Sequence, residues 1–356
     1  MVERAVVVGA GLIGTSIALA LGRGGVEVEL ADRDPATLRL ACELGAGRPL
    51  GSVPGSGPAD VAVIAAPPRA VPAVLLDAQK NGFAHVYTDV ASVKESMIAE
   101  ADALGCDLSS YVPGHPMGGS ERQGPGAARA DLFLGRSWAL CPTTRTDPGA
   151  LETVTRLAEM CGADPLVLDA AAHDRAVALV SHAPHVASAA VAARLRGGDD
   201  AALALAGQGV RDVTRIAGGD PGMWLEILGH NAAPVAAVLE EIAADLAAAA
   251  AALRAAEARD VTDLLERGVA GRARIPGKHG AERTPDYAVL AVVIPDEPGS
   301  LGRLFAAAAD AGVNVEDVRI DHSPGLPLGV AQLSVAQGSE DRLARALGES
   351  GWSVHP

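Results

Sequence analysis

Cysteine is scarce: Cys42, Cys106, Cys141 and Cys161 are the whole complement in 356 residues, and no two stand at metal-ligand or redox-motif spacing. Reduced thiols in a cytoplasmic setting are expected, with neither a disulfide framework nor a bound metal. Basic charge is also short. With 29 Lys and Arg against 44 Asp and Glu, the net charge is −15. Nucleic acid and anionic membrane both ask for a basic face, so neither is an expected partner. An anionic substrate would have to be drawn in by local arginines against the global field. Long apolar runs are missing too. The most apolar late stretch, Leu246 to Leu253, spans a few turns between Asp245 and Arg254, which argues against a membrane span. No basic segment with an apolar core precedes the first strand pattern, so no signal peptide is expected. What is present is globular composition, 49% apolar and 21% charged, at a length suited to two or three domains.

The first 168 residues alternate strand and helix patterns. Arg4 to Val8 is a β-branched run, followed by Gly9-Ala10-Gly11-Leu12-Ile13-Gly14, a helical pattern from Thr15 to Leu21, and a second strand, Glu27 to Ala31, ending at Asp32. That order is the dinucleotide fingerprint. Gly9 permits the tight turn, Gly11 lets backbone approach a pyrophosphate, and Gly14 lets helix and strand pack closely. The amino terminus of the helix, with Leu12 and Ile13, then presents free N–H groups to phosphate. Asp32 is placed to accept from ribose hydroxyls, which favours NAD. Arg33 blurs that choice, because it would suit a 2′-phosphate that Asp32 would repel. A glycine turn binding something else is the plainer alternative.

Further strands are predicted at Val61 to Ala65 and Val86 to Val90, and ligands in such sheets lie beyond the carboxyl ends of the strands. Ser92 and His115 both follow strand-like runs. His115 sits in Gly114-His115-Pro116-Met117-Gly118-Gly119-Ser120-Glu121, where the nucleotide-binding region approaches the helical one. A neutral histidine there suits a general base; the plainer reading is a turn histidine held by prolines. For Ser92 the alternative is a helix cap for a segment starting at Val93.

From Ala170 to about Leu265 the pattern is helical, with breaks near Gly197, Gly218 and Pro221. His182 and His185 share a helix face, and Pro184 between them should bend or loosen the helix. Spacing alone makes them core residues as readily as functional ones. Arg215, beside a glycine turn, is a plausible carboxylate clamp or a solvated surface residue. The stretch Ala232 to Leu265 reads as one long Ala-rich helix with Val235, Val238, Leu239, Ile242 and Leu246 on one stripe, a packing surface that points to a homodimer. Residues 169–267 thus form a helical domain, 268–284 a linker, and 285–356 a third domain of βαββαβ, ferredoxin-like order. That tail resembles the ACT domain through the turn Pro298-Gly299-Ser300-Leu301 and the later Gly312-Val313-Asn314. The resemblance implies that Pro298, Gly299, Ser300, Leu301 and Asn314 bind a free amino acid; a packing domain without a ligand is the alternative.

The motifs together, in order, resemble the prephenate dehydrogenase family with a carboxyl-terminal ACT domain. They are Gly9-x-Gly11-Leu12-Ile13-Gly14, Asp89-Val90-Ala91-Ser92-Val93-Lys94, Gly114-His115-Pro116-Met117, Ser120-Glu121, His173-Asp174, Ser181-His182-Ala183-Pro184-His185, Asp212-Val213-Thr214-Arg215 and Asp220-Pro221-x-Met223-Trp224. Gly119 and Ala91 depart from the family's usual Ala and Gly. The resemblance implies an α/β enzyme with a Rossmann-like domain, a helical dimerisation domain and the ACT tail. Its reaction would be NAD-dependent oxidative decarboxylation of prephenate, with His115 as base and Ser92 on the 4-hydroxyl. Arg215 would hold a substrate carboxylate, His185 and Ser120 would line the pocket, and Glu121 would sit at its mouth. Tyrosine is the implied effector, with phenylalanine as the alternative. Arogenate and 4-amino-4-deoxyprephenate are rival substrates. A β-hydroxyacid dehydrogenase would need a catalytic lysine on the helices, and residues 170–265 contain none. A non-catalytic sensor of NAD and amino acids would have no use for His115, Ser92 and Arg215.

Overall fold

The computed structural model describes residues 2–52, 57–119, 123–275, 287–322 and 327–355. Its chain divides into two compact units, residues 1–247 and 248–356.

In the first unit the strands are β1 (Arg4–Val8), β2 (Glu27–Ala31), β3 (Arg48–Pro49), β4 (Ala59–Ile64), β5 (Ala84–Asp89), β6 (Tyr111–Val112), β7 (Gly114–Pro116), β8 (Ser137–Leu140) and β9 (Asp164–Val167). The first six form a parallel sheet of order β3-β2-β1-β4-β5-β6. Such near-continuous apolar strands need cover on both faces. Alternation supplies it: Ala5 and Val7 pack with Ile17 and Leu21 of the helix Leu12–Arg23 and with Val154 and Leu157 of the helix Pro148–Met160. Val6, Ala62 and Ile64 pack with Leu75 of the helix Val71–Lys80 and Met97 of the helix Glu95–Ala103. The strand order reverses between β1 and β4, which opens the crevice where such folds bind ligands.

A second, three-stranded sheet, β7-β8-β9, begins one residue after β6. Here the structure corrects the expectation of a loop histidine: His115 is the middle residue of β7, paired with Ala139 of antiparallel β8. The helical run then starts at Ala170. It widens into a π-helical turn, Ala178–His182, before continuing as Ala183–Leu195. Pro184 explains the widening, since it has no N–H to give the carbonyl four residues back. Among the described residues, Ala170–Leu195 is the helical run long and apolar enough to cross a membrane, rather than the stretch near Leu246. It carries His173, Asp174, His182 and His185, all buried within this unit.

The long Ala-rich helix is two helices, Ala232–Ala255 and Ala258–Ala273. Ala256 takes φ 56° between them, and Glu257 N–H closes on the Ala252 carbonyl at 2.9 Å, a left-handed helix ending. The second helix also corrects the linker: residues 268–273 are helical, and residues 276–286 lie outside the described residues.

The tail contains β10 (Tyr287–Pro295), the helix Ser300–Asp310, β11 (Val315–His322), β12 (Leu328–Ala336), the helix Glu340–Glu349 and β13 (Ser353–His355). Its antiparallel sheet has the order β11-β12-β10-β13. This is the βαββαβ order expected, over an apolar core of Leu290, Val292, Leu304, Leu333, Leu343 and Leu347.

Candidate active site

The glycine turn after β1 is built as its sequence demands. Gly9 has φ 107°, and a Cβ there would stand 2.2 Å from the Ala65 carbonyl at the end of β4. A Cβ on Gly14 would meet the Gly9 carbonyl at 1.9 Å. Gly9 and Gly14 are therefore fixed by the approach of β1, β4 and the first helix. Gly11 is different: nothing lies within 4 Å of its would-be Cβ, and it caps the helix Leu12–Arg23 without any side-chain hydrogen bond. An open space at an uncapped helix amino terminus fits a pyrophosphate. Leu12 and Ile13 are half-buried at that terminus. Asp32, at the end of β2, accepts from Ala10 N–H at 2.7 Å and from Asp34 N–H at 2.8 Å, so it also braces the turn. Arg33 beside it is exposed.

Around the carboxyl end of β5 the chain buries charge. The Asp89 carboxylate accepts from Lys94 Nζ at 2.5 Å, Tyr111 Oη–H at 2.6 Å, Ala91 N–H at 2.8 Å and Gly114 N–H at 3.3 Å. The Lys94 and Asp89 side chains have no solvent exposure. Two buried charges are tolerable only when paired and further hydrogen-bonded, and Asp89 meets that condition from four directions. The same contacts hold β7 in place. Gly114 is required for the approach, because a Cβ would stand 2.8 Å from both the Asp89 carbonyl and Thr88 Oγ1. His115 is thereby set just beyond the parallel sheet.

His115 Nδ1 lies 2.9 Å from His173 Nε2, and His173 Nδ1 lies 2.7 Å from Asp174 Oδ1. Burial, then the neighbouring His173, Lys94 and His182, hold the His115 pKa well below the ordinary histidine value. His115 is therefore neutral at neutral pH, as a proton acceptor must be. His182 is depressed to about 4, chiefly by burial, and contacts Asn231 at 3.0 Å. His185 stacks on Trp224 with ring centroids 3.6 Å apart, and burial lowers its pKa as well. Gly219 completes that stack, since a Cβ would stand 2.4 Å from Trp224 Nε1 and 3.1 Å from His185.

Ser92 is half-buried in the loop after β5, and its hydroxyl has no hydrogen-bond partner among the described residues. It is not a helix cap: the helix starts at Glu95, and the carboxylate of Asp174 receives Lys94 N–H at 2.9 Å and Glu95 N–H at 2.8 Å. Arg215 opens the short 3-10 turn Arg215–Gly218, exposed and without an ion pair among the described residues. Ser120 and Glu121 lie outside the described residues. In the tail, Gly299 has φ 86° at the head of the helix Ser300–Asp310, Pro298 is exposed and Leu301 half-buried. Ser300 is buried and accepts from Arg303 at 3.1 Å. The Asn314 amide donates to Glu316 at 2.5 Å. The sequence pattern assigns no separate role to Asp89, Lys94, Tyr111, His173, Asp174, Trp224 or Asn231. The His173-Asp174 dipeptide is a visible signal, but its partners lie 58 and 80 residues away.

Residues 17–167 match the family model for the prephenate dehydrogenase nucleotide-binding domain, and residues 169–267 match the one for the prephenate dehydrogenase dimerization domain. The chain is 40% identical to the probable prephenate dehydrogenase NovF of Streptomyces niveus, over 99% of each. Among solved structures it is similar to the Aquifex aeolicus prephenate dehydrogenase in complex with hydroxyphenyl propionate and NAD+, at 27% identity and TM-score 0.68, over 76% of this chain and 98% of that one. The Synechocystis arogenate dehydrogenase gives 28% identity and TM-score 0.64 over the same shares.

Proposed function

Because the chain belongs to the prephenate dehydrogenase family, we propose that it oxidatively decarboxylates prephenate to 4-hydroxyphenylpyruvate, with His115 as the base. The observation that carries this reading is the neutral His115, held just beyond the sheet that forms the dinucleotide crevice. The cofactor is NAD, and the open Gly11 turn, the uncapped helix and Asp32 are the residues that would hold it. When bound, it supplies the hydride acceptor.

The chain's own residues do the rest. His115 takes the proton of the 4-hydroxyl as hydride leaves the carbon that bears it, and loss of carbon dioxide then makes the ring aromatic. Aromatisation drives the step, so the protein has to orient and polarise. Ser92, whose hydroxyl has no partner among the described residues, hydrogen-bonds the reacting oxygen. Arg215, exposed and without an ion pair among the described residues, clamps a substrate carboxylate. His185, held against Trp224, lines the pocket with Ser120, and Glu121 sits at its mouth. Replacing Arg215 with Ala should raise KM while sparing kcat, by about 2–5 kcal/mol of lost binding if the pair is desolvated in the complex. An unchanged KM would assign the carboxylate to another cation.

The helical domain leaves Leu179, Val180, Leu225 and Leu246 each more than 60% exposed, which supports a homodimer. The βαββαβ tail supports an ACT domain with the turn Pro298–Leu301 and Asn314 as the site for tyrosine. A chain ending near Arg283 should stay active and lose its response to tyrosine; a retained response would place inhibition at the His115 pocket.

The deciding assay is reduced-cofactor formation with prephenate and with arogenate, each with NAD and NADP. Prephenate with NAD should give the highest kcat/KM. Preference for arogenate, the substrate named for the similar Synechocystis enzyme, would replace the substrate and leave the chemistry. Preference for NADP would mean that Arg33 outweighs Asp32.

A further inference from the structure

We propose that His173 and Asp174 are positioning residues that fix the tautomer of His115, leaving its Nε2 as the atom that takes the substrate proton. This rests on His115 being the base. Asp174, only 2% exposed, anchors the relay. Its Oδ1 accepts Lys94 N–H and its Oδ2 accepts Glu95 N–H. A carboxylate serving two backbone donors is an acceptor on both oxygens, so the contact at 2.7 Å from Oδ1 requires a hydrogen on His173 Nδ1. A neutral His173 then carries its lone pair on Nε2. That atom faces His115 Nδ1 at 2.9 Å, which must supply the hydrogen. Neutral His115 is left with a bare Nε2. The opposite arrangement needs hydrogens on both nitrogens of His173, a second positive charge where Lys94 already acts on His115.

The same chain of contacts serves the proton's arrival. When the substrate O–H bond breaks and an N–H bond forms at Nε2, His115 becomes cationic. Its Nδ1–H still points at His173, whose own N–H rests on the Asp174 carboxylate, so the new charge is answered two hydrogen bonds away. Asp174 also holds the start of the helix Glu95–Ala103, three residues after Ser92. One carboxylate thus positions both the base and the serine loop. The titratable groups that act on His115 are His173 on the helix Ala170–Val177, Lys94 just before the helix Glu95–Ala103, and His182 on the π-helical turn; behind them Asp174 pairs with His173 and Asp89 with Lys94.

The test is the nitrogen NMR spectrum of full-length protein labelled with 15N-histidine, without substrate, near pH 7.5, with His115→Asn and His173→Gln assigning the signals. His115 and His173 should both be Nδ1–H tautomers; a His115 Nε2–H tautomer overturns the proposal. In kinetics, His173→Leu should lower kcat about 10²-fold with little change in KM, the scale of misplaced acid–base catalysis. It should also move the acid limb of kcat to lower pH, because the cationic form of His115 loses the acceptor on which its Nδ1–H rests. His173→Gln, whose amide oxygen can accept from His115 Nδ1–H, should restore most of the rate. Wild-type kcat and an unmoved limb in His173→Leu would overturn the role. Full turnover by His115→Asn would defeat the base reading, whereas the nitrogen signals report the relay without reference to turnover.

Discussion

The two ends of the chain bury opposite things. Around His115 the interior holds Asp89, Lys94, His173, Asp174, His182 and Asn231. Among the described residues of the tail the core beneath the four-stranded sheet is apolar, with Ser300 the buried polar residue found there. Buried charge and imidazole are costly unless every group finds a partner, so the first region is held together by a hydrogen-bond network whose members depend on one another. The tail is held by burial of leucine, isoleucine and valine, which is tolerant and additive. A region built the first way is built for chemistry. A region built the second way folds for its own sake.

The contrast can be broken at several points. The largest effect should come from His115→Asn, which removes the proposed base and should lower kcat about 10²- to 10⁴-fold while leaving cofactor affinity nearly intact; near-full turnover would separate the polar network from catalysis. Lys94→Met should come second. It leaves the Asp89 carboxylate buried without its cation, a loss of about 3–5 kcal/mol in chemical denaturation. If Lys94→Met is neutral, the network is not interdependent. In the tail, Leu304→Ala opens a cavity at a fully buried site and should cost about 2–5 kcal/mol in the tail's own unfolding, with basal kcat unchanged.

Acidity sharpens the comparison further. His115, His182 and His185 have folded pKa values below the ordinary 6.5, His182 at about 4. The unfolded chain therefore takes up these protons first. Their share of stability is whole above about pH 6.5 and is lost as pH falls toward the folded values, by up to about 1.4 kcal/mol per pH unit for each histidine. Denaturation midpoints of the first unit should fall between about pH 6.5 and pH 4, and those of the tail should respond less. A flat profile would mean that these histidines are already charged when folded. The smallest change is expected at the exposed pair Arg145–Asp102, where Asp102→Asn should cost about 1 kcal/mol or less.

Where the local pattern is strong, sequence and structure agree closely. Arg4–Val8 and Glu27–Ala31 are strands over the residues predicted for them, because a β-branched run between glycine turns has few alternatives. The role of Gly14 was equally legible, since it is set by Gly9 within the same fingerprint, whereas Gly9 is also held by the distant Ala65 carbonyl. The break at Ala256 was not: alanine is the best helix former, and nothing near it except the chain's own turn back marks an end. Nor was the strand at His115. Its partners are Ala139 and, through Gly114, Asp89, and no window of local sequence contains them.

By itself the sequence determined the α/β order, the dinucleotide turn, the helical second region, the βαββαβ tail and the candidacy of His115, since each is written in spacing or in neighbouring residues. Only the tertiary structure decided that Asp174 caps the helix after Ser92 while reaching His115 through His173, and that Lys94 lies wholly buried against Asp89. The physical reason is range. Propensity, turns and periodicity act over a few residues, whereas a buried carboxylate must be satisfied by whatever donors the completed fold brings within about 3 Å.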